Sequence, residues 1–255
     1  MIVRPIENGT RLIAQHDHAR AAGTIARKWD RDGIIPEPPN VLKDAVFFAI
    51  DNHDVGWCPK DESPFLDTRT LLPQSFYGMS AGEATEIWSE SIVFCAAYQP
   101  LAGYMVSSHF SALAQAGVRG APMDDLKNLK DFVREEGRRR EILLSQLSSS
   151  EKDACESATL LLRTCDTLSL FACRAPEVIP PEGQIHQLPR VGLKIRLQDS
   201  DVMELAPWPF EVDRLEIRFP GSTIPGSRFE SSEDLEEALE MAEPGLFAAE
   251  ILPLG

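Results

Sequence analysis

The spacing of the apolar residues constrains the fold of this chain more than any other feature. Through residues 16–175 apolar residues recur at helical spacing, and the first such stripe includes Ala22, Ile25 and Trp29. On both sides of this stretch the pattern changes to the alternation of β-strands, as in VGLKIRL and DRLEIRF near the C-terminus. The sequence therefore predicts a mainly α protein, a helical bundle with β-structure at both ends.

Proline, glycine and capping residues divide the helical stretch into segments. Ser80 and Glu83 have the spacing of a capping box, which predicts the start of a helix. Gly56 is expected to end the preceding helix. The intervening segment 57–80 is rich in Pro, Asp, Ser and Gly and predicts a long loop. After the first helix, further helices are predicted over about residues 41–54, 80–98, 101–116, 126–147 and 151–174.

The two ends of the chain are predicted to meet. Asn8-Gly9 lies between two β-prone runs and predicts a tight turn, so residues 1–15 form a hairpin. Because two isolated strands are marginally stable in water, we expect this hairpin to join the C-terminal strands in one sheet. The predicted organisation is a hairpin over 1–15, a helical domain over 16–175 and a β-rich acidic region over 176–255 that packs with the hairpin.

The charge of the chain restricts its partners. The 255 residues include 25 Lys+Arg and 40 Asp+Glu, a net charge of −15, and from residue 177 onward 16 acids face only 6 bases. This excess repels polyanions and anionic membranes, so we expect neither a nucleic acid polymer nor a membrane as partner. The helical part is closer to balance, which is compatible with a small anionic substrate beside a cationic metal.

The cysteines indicate a reducing compartment. There are five, an odd number, without a C-x-x-C pair, and we expect reduced, buried thiols. No apolar run approaches the roughly 20 residues that cross a bilayer, and the first residues do not resemble a signal peptide. The expected location is the cytoplasm. Among partners, we also consider a second copy of the chain, that is, a homodimer.

Histidine and aspartate residues occupy apolar helical positions where they need a partner. His18 lies on the stripe of the first helix, His53 lies on the inner face of the second beside Asp54, and His109 lies on the inner face of a later helix. Asp166 stands inside the run LLLRTCDTLSLF, where a buried carboxylate must be paired, hydrogen-bonded or bound to metal. Imidazole nitrogen and carboxylate oxygen together form the ligand set of a divalent transition metal.

Each of these residues also has a simpler explanation. An inward histidine can be a hydrogen-bonded core residue, and Asp166 can pair with Arg163. His16 is two residues from His18 and on the other side of a helix, so we expect it at the surface or outside the inner ligand set. His186 is predicted to be exposed.

The joint pattern resembles the HD-domain superfamily of metal-dependent phosphohydrolases. The matching stretches are QHDHARAAGTIA, AVFFAIDNHDVGW and LLLRTCDTLSLFA. The family pattern is a helical histidine, a helix-ending His-Asp with a glycine two residues after the aspartate, and a distant helical aspartate. The resemblance covers roughly residues 15–175, and QHDHA and NHDVGW are similar to a bacterial branch of unknown function.

The resemblance implies a metal centre and a reaction. His18, His53, Asp54 and Asp166 would ligate a divalent transition metal (Mn, Fe, Co, Ni or Zn), with Mg as a further candidate. His109 would be a fifth ligand or a group near the substrate. The metal would activate water for attack on phosphorus, and Asp54 would accept the proton. The implied enzyme is a phosphomonoesterase or phosphodiesterase acting on a small phosphorylated or nucleotide-like substrate.

Three cations and one aromatic residue are candidates for substrate binding. Arg20 in the first helix, Lys60 in the loop and Arg163 one turn before Asp166 can each meet phosphate charge, although each also fits a surface position. Trp57 can form an apolar wall for an organic group, or it can simply pin the loop to the bundle. It stands where many hydrolases of this superfamily carry a lysine.

Two other functions stay open. Some relatives with the HD fold are oxygenases that use a di-iron version of the ligand set, which requires additional histidine ligands. Alternatively, the chain is a non-catalytic protein that binds a metal or another ligand, with the acidic β-rich region as an interaction module.

Overall fold

The computed structural model describes residues 1–30, 34–119, 121–198 and 201–255. Eight α-helices lie within these ranges: α1 (Gln15–Ala26), α2 (Lys43–Asn52), α3 (Cys58–Glu62), α4 (Ala81–Tyr98), α5 (Pro100–Gly117), α6 (Met123–Gln146), α7 (Ser149–Ala172) and α8 (Ser232–Glu240). Short 3-10 helices cover Asn40–Leu42, Val55–Trp57 and Phe76–Gly78.

Nine strands lie in the same described ranges. They are β1 (Ile2–Ile6), β2 (Gly9–Ile13), β3 (Leu66–Asp67), β4 (Leu72–Pro73), β5 (Ile185–Leu188), β6 (Leu193–Leu197), β7 (Val202–Ala206), β8 (Leu215–Ile224) and β9 (Glu243–Pro253). Seven of these described strands form one curled mixed sheet in the order β1-β2-β8-β9-β7-β6-β5, and β3 pairs with β4. Within the large sheet β7 and β9 are parallel, and the other neighbours are antiparallel.

The protein is therefore an α+β fold, and the prediction of a mainly α helical bundle with a β-rich appendage is wrong. Helices account for 52% of the structure, but the seven-stranded sheet is a major layer of the fold. The N-terminal hairpin joins this sheet because β2 pairs with β8, with Thr10 opposite Ile224. That pairing merges two segments, each of which looks minor in the sequence, into one sheet.

A continuous apolar core connects the helices with the sheet. Ile13 of β2, Phe110 of α5, Leu162 of α7 and Ile217 of β8 are buried members of the same cluster. Residues of β8 alternate between buried and exposed at its start, as expected for a strand with one face on the core. Helix α1 packs against α2, α7 and β8, so the sheet supports the helices that carry the predicted histidines and aspartates.

The region around the predicted loop is more ordered than the sequence indicated. Helix α2 ends at Asn52 with His53 as its C-cap, and Gly56 lies in the next 3-10 helix rather than at the end of α2. Segment 57–80 contains α3, the β3–β4 hairpin and a 3-10 turn. The predicted cap is confirmed, because Ser80 Oγ accepts a hydrogen bond from the Glu83 backbone N–H at the start of α4.

Among the helices that the structure describes, none combines the length and the apolar character needed to cross a membrane.

Candidate metal centre

Four helices bring together the five residues predicted as metal ligands. His18 lies on α1, His53 caps the C-terminus of α2 and Asp54 follows it, His109 lies on α5 and Asp166 lies on α7. All five are buried, with exposed fractions of 9% or less. Because α2 stops at Asn52, the turn that follows it directs both His53 and Asp54 towards α1 and α7.

The ligand atoms lie close to the separations that a shared metal ion requires. His18 Nε2 is 2.8 Å from Asp54 Oδ2 and 3.9 Å from Asp166 Oδ1. His53 Nε2 is 3.5 Å from Asp54 Oδ2 and 3.4 Å from Asp166 Oδ1. Ligands bound at about 2.1 Å to one ion lie about 3.0–3.4 Å apart, depending on the coordination angle. With ligand atoms within 4.8 Å of one another, His18, His53 and Asp166 form a buried group that could hold a metal ion.

Hydrogen bonds away from the centre determine which nitrogen of His18 faces it. Ser169 Oγ donates its single hydrogen to the main-chain carbonyl of Asp166 at 2.8 Å. The same oxygen is 2.8 Å from His18 Nδ1, so the Nδ1–H group of His18 donates to it. In the neutral ring the lone pair is then on Nε2, only 2.8 Å from the acceptor Asp54 Oδ2. Two acceptors at this distance require a proton or a metal ion between them.

His53 is oriented in the same way. Its Nδ1–H donates to the Ile50 carbonyl oxygen at 2.8 Å, and a carbonyl oxygen can only accept. Its Nε2 is buried and has no aligned hydrogen-bond partner in the described part of the chain. Histidines that bind metals usually donate their other ring N–H to a carbonyl, carboxylate or water in this way. The orphaned Nε2 between two carboxylates therefore fits a metal ligand.

The electrostatics of the group depend on the burial of opposite charges. Burial disfavours the imidazolium of His53, but the charges of Asp54 and Asp166 outweigh it and raise its pKa to about 9. Burial likewise disfavours both carboxylates, yet the histidines lower the pKa of Asp54 and hold that of Asp166 well below its usual range. Without a metal, His53 therefore carries a proton at neutral pH, and its charge offsets one of the two buried carboxylates.

His109 lies beside this group but differs from it in charge. Its Nε2 is 3.9 Å from Asp166 Oδ2, and its ring centroid is 5.4 Å from that of His53. Burial lowers its pKa to about 4, so the ring is neutral at pH 7. Its Nδ1 is buried with no hydrogen-bond partner among the described residues. A role as fifth ligand or as a group near the substrate stays a prediction.

The predicted substrate-binding residues do not converge on one place. Arg163 is half-buried on α7, one turn before Asp166. Arg20 is exposed on α1. Lys60 pairs with Glu83 at 3.2 Å instead of facing the metal group. Trp57 is only 3% exposed, so it offers almost no surface to a ligand and fits the simpler explanation, an anchor for the turn.

A glycine allows the turn that carries His53 and Asp54 to pack closely against α4. The Gly56 N–H donates to Ser91 Oγ at 2.9 Å, and Ser91 is fully buried on α4. A Cβ at Gly56 would lie 2.3 Å from the Ile87 carbonyl oxygen. The glycine is therefore needed for the close approach of the turn to α4, and its spacing from Asp54 was visible in the sequence.

One residue that orients the centre, Ser169, was not predicted from the sequence. Ser169 positions His18 through a hydrogen bond. It lies three residues after Asp166, so the two share one face of α7, and this spacing could have identified it. His16 is half-buried and the charges of Asp54 and His53 act on it, which fits the second of its two predicted places, outside the inner ligand set. His186 is exposed, as predicted.

Comparison with known proteins identifies a family but no activity. No curated protein and no solved structure matches the chain. One family model, described as a protein of unknown function (DUF3891), matches residues 1–226. The matched range contains all five residues of the candidate metal centre and every strand of the large sheet except β9. The chain therefore belongs to the DUF3891 family of proteins of unknown function.

Proposed function

We propose that this protein is a metal-dependent phosphohydrolase with an HD-domain-like centre, acting on a small phosphorylated or nucleotide-like substrate. One observation carries the proposal more than any other. Two buried histidines donate their Nδ1–H groups outward, to Ser169 and Ile50, and turn Nε2 towards carboxylates. This arrangement supports metal ligation better than a hydrogen-bonded core, because among the described residues the Nε2 of His53 has no aligned donor or acceptor.

The donor set restricts the metal. His18, His53 and Asp166 would hold it, with Asp54 as a further ligand between the two histidines. Two imidazoles favour Mn, Fe, Co, Ni or Zn over Mg, which prefers oxygen ligands. A divalent ion in this place supplies Lewis acidity at a phosphoryl oxygen and makes water nucleophilic at neutral pH.

The protein's own groups would divide the remaining work. Asp54 is ionised and lies at hydrogen-bond distance from His18, so it can orient that histidine and accept a proton during the reaction. Ser169 and the Ile50 carbonyl hold the two rings in place. His109 is neutral at pH 7 and can donate or accept a hydrogen bond at the substrate.

The charge and the cysteines of the chain indicate the class of substrate and the cellular compartment. The substrate is a small anion, and the net charge of −15 disfavours nucleic acid polymers and anionic membranes. The five cysteines are unpaired, which supports a reducing compartment such as the cytoplasm.

The test combines metal analysis with a substrate screen. The purified protein is analysed for bound metal, then assayed on phosphomonoesters, nucleotides and phosphodiesters with Mn, Co, Ni, Zn, Mg and Fe. We expect metal-dependent release of phosphate or of a phosphomonoester. Asp54→Ala should abolish it, whereas Asp153→Ala, a change of an exposed aspartate on α7, should leave it intact.

Three outcomes would contradict the proposal. They are the absence of turnover with every metal, undiminished turnover in Asp54→Ala, and two iron atoms per chain with a mixed-valent spectrum. The last would support an oxygenase instead, and firm metal binding without turnover would support a non-catalytic binding protein.

A further inference from the structure

A cavity of about 640 Å³ opens between α5, α7 and the turn that joins β5 to β6. Tyr104 and Ser108 line it from α5, Thr159 and Arg163 from α7, and Arg190 from the turn. Its volume lies in the range of about 300–1,000 Å³ that is typical of sites for small molecules. The large sheet region thus contributes a side chain to a cavity in the helical part.

The cavity lies near the candidate metal centre along α5 and α7, although none of the five predicted ligands lines it. Arg163 precedes Asp166 by three residues on α7, about 4.5 Å along the helix axis. Ser108 directly precedes His109 on α5. Arg163 is also within electrostatic range of both His109 and Asp166.

Two arginines face this cavity without an acidic partner. Within the described ranges, neither Arg163 nor Arg190 forms an ion pair, and Glu156 is the only acidic residue among those that line the cavity. Burial, and after it the charge of Arg190, lowers the pKa of Arg163. In a chain with a net charge of −15, two neighbouring unpaired guanidinium groups indicate a place for an anion.

A hydroxyl group in the cavity is also without a partner. Thr159 Oγ1 is buried and has no hydrogen-bond partner in the described structure. Thr159 lies one turn from Arg163 on the same face of α7. After a change of the Thr159 χ1 rotamer, this hydroxyl could donate to an anionic oxygen held by Arg163.

We infer that the cavity is the substrate subsite of the metal centre, in which Arg163 and Arg190 bind an anionic oxygen group, a phosphate or a carboxylate. The inference rests on the proposed function and narrows it. The substrate would be a small molecule with a phosphoryl group at the metal ligands and a second anionic group at the two arginines. Guanidinium groups suit this role because they bind two oxygens of phosphate or carboxylate at once.

The test uses the full chain depleted of metal, with inorganic phosphate and malonate as separate probes. Binding is measured by calorimetry for the unaltered protein, Arg163→Gln, Arg190→Gln and Arg228→Gln. Arg228 is exposed and does not line the cavity. We expect each cavity variant to weaken binding by about 10- to 100-fold and Arg228→Gln to leave it unchanged. The tighter of the two probes identifies the preferred group.

Folding and function are checked separately. Arg190 is exposed, so Arg190→Gln should keep the unfolding temperature and the metal affinity of the unaltered protein. The inference is overturned if neither probe binds the unaltered protein, or if Arg190→Gln binds both as tightly. If the arginines bind the probe but no phosphate ester is ever hydrolysed, the anion site stands and the phosphohydrolase proposal fails.

Discussion

Replacement of Gly56 by alanine tests whether the close approach of the His53-Asp54 turn to α4 maintains the metal centre. The added Cβ would lie 2.3 Å from the Ile87 carbonyl oxygen and 3.0 Å from Ser91 Oγ. The first contact is with backbone, which cannot rotate away as a side chain can. The turn must therefore move by about 1 Å, and the hydrogen bond from the Gly56 N–H to Ser91 Oγ must lengthen.

The expected loss of stability follows from these two effects. Overpacking of a close contact costs about 1–3 kcal/mol, and weakening a buried hydrogen bond adds about 1 kcal/mol. The sum, about 2–4 kcal/mol, corresponds to a fall of roughly 5–15 °C in the unfolding temperature for a chain of this size. Because Asp54 is two residues away and metal ligands tolerate displacements of only about 0.2 Å, the affinity for metal should also fall.

Calorimetric unfolding and metal titration measure the two effects. The matched control is Gly137→Ala on α6, where a Cβ meets nothing within 4 Å. A helical Gly→Ala change at such a position should stabilise the protein slightly. If Gly56→Ala unfolds at the same temperature as Gly137→Ala and binds metal normally, the close approach does not hold the centre together.

Three further predictions concern the charges and thiols of the protein. Asp166→Asn should weaken metal binding by at least about 10-fold in calorimetry, while Asp153→Asn on the same helix should not; equal affinities would remove Asp166 from the ligand set. The pKa of His53 is raised to about 9, so its contribution to the stability of the metal-free protein is complete below pH 6.5 and lost as the pH rises through about 9. Thermal unfolding from pH 6 to 10 should show this loss, and a flat profile would contradict the proton on His53. In the native protein a thiol reagent should label Cys58, which is half-buried, much faster than the four buried cysteines. Mass spectrometry measures the labelling, and equal rates at all five cysteines would contradict the burial of the four.

Local chemistry explains why most of the helices were predictable. The side chain of Ser80 caps α4 through the Glu83 N–H, a contact between residues three apart, and any sequence with this pair carries that signal. The apolar stripe of α1 is likewise visible in its own residues. The order of the strands depends on partners far apart in the chain, such as Thr10 and Ile224, and no local pattern specifies such a pair.

The candidate site was predictable in part for a related reason. His18, His53 and Asp166 stood out because polar residues at buried helical positions need partners. Their hydrogen bonds to Ser169 and Ile50, and thus the nitrogen that each histidine presents, require the folded geometry. Glu136 of α6, in contrast, gave no sign of burial in the sequence. In the structure it is buried and accepts a hydrogen bond from Ser107.

The sequence by itself determined the long helices, their polar inward residues and the strands at both ends, because these depend on the periodicity and capping of neighbouring residues. Only the tertiary structure decided that seven strands form one sheet, that Lys60 pairs with Glu83 and Trp57 is buried, and that Arg190 lines the same cavity as Arg163. The physical reason is that burial, charge and hydrogen bonding at these places depend on which distant segments pack together.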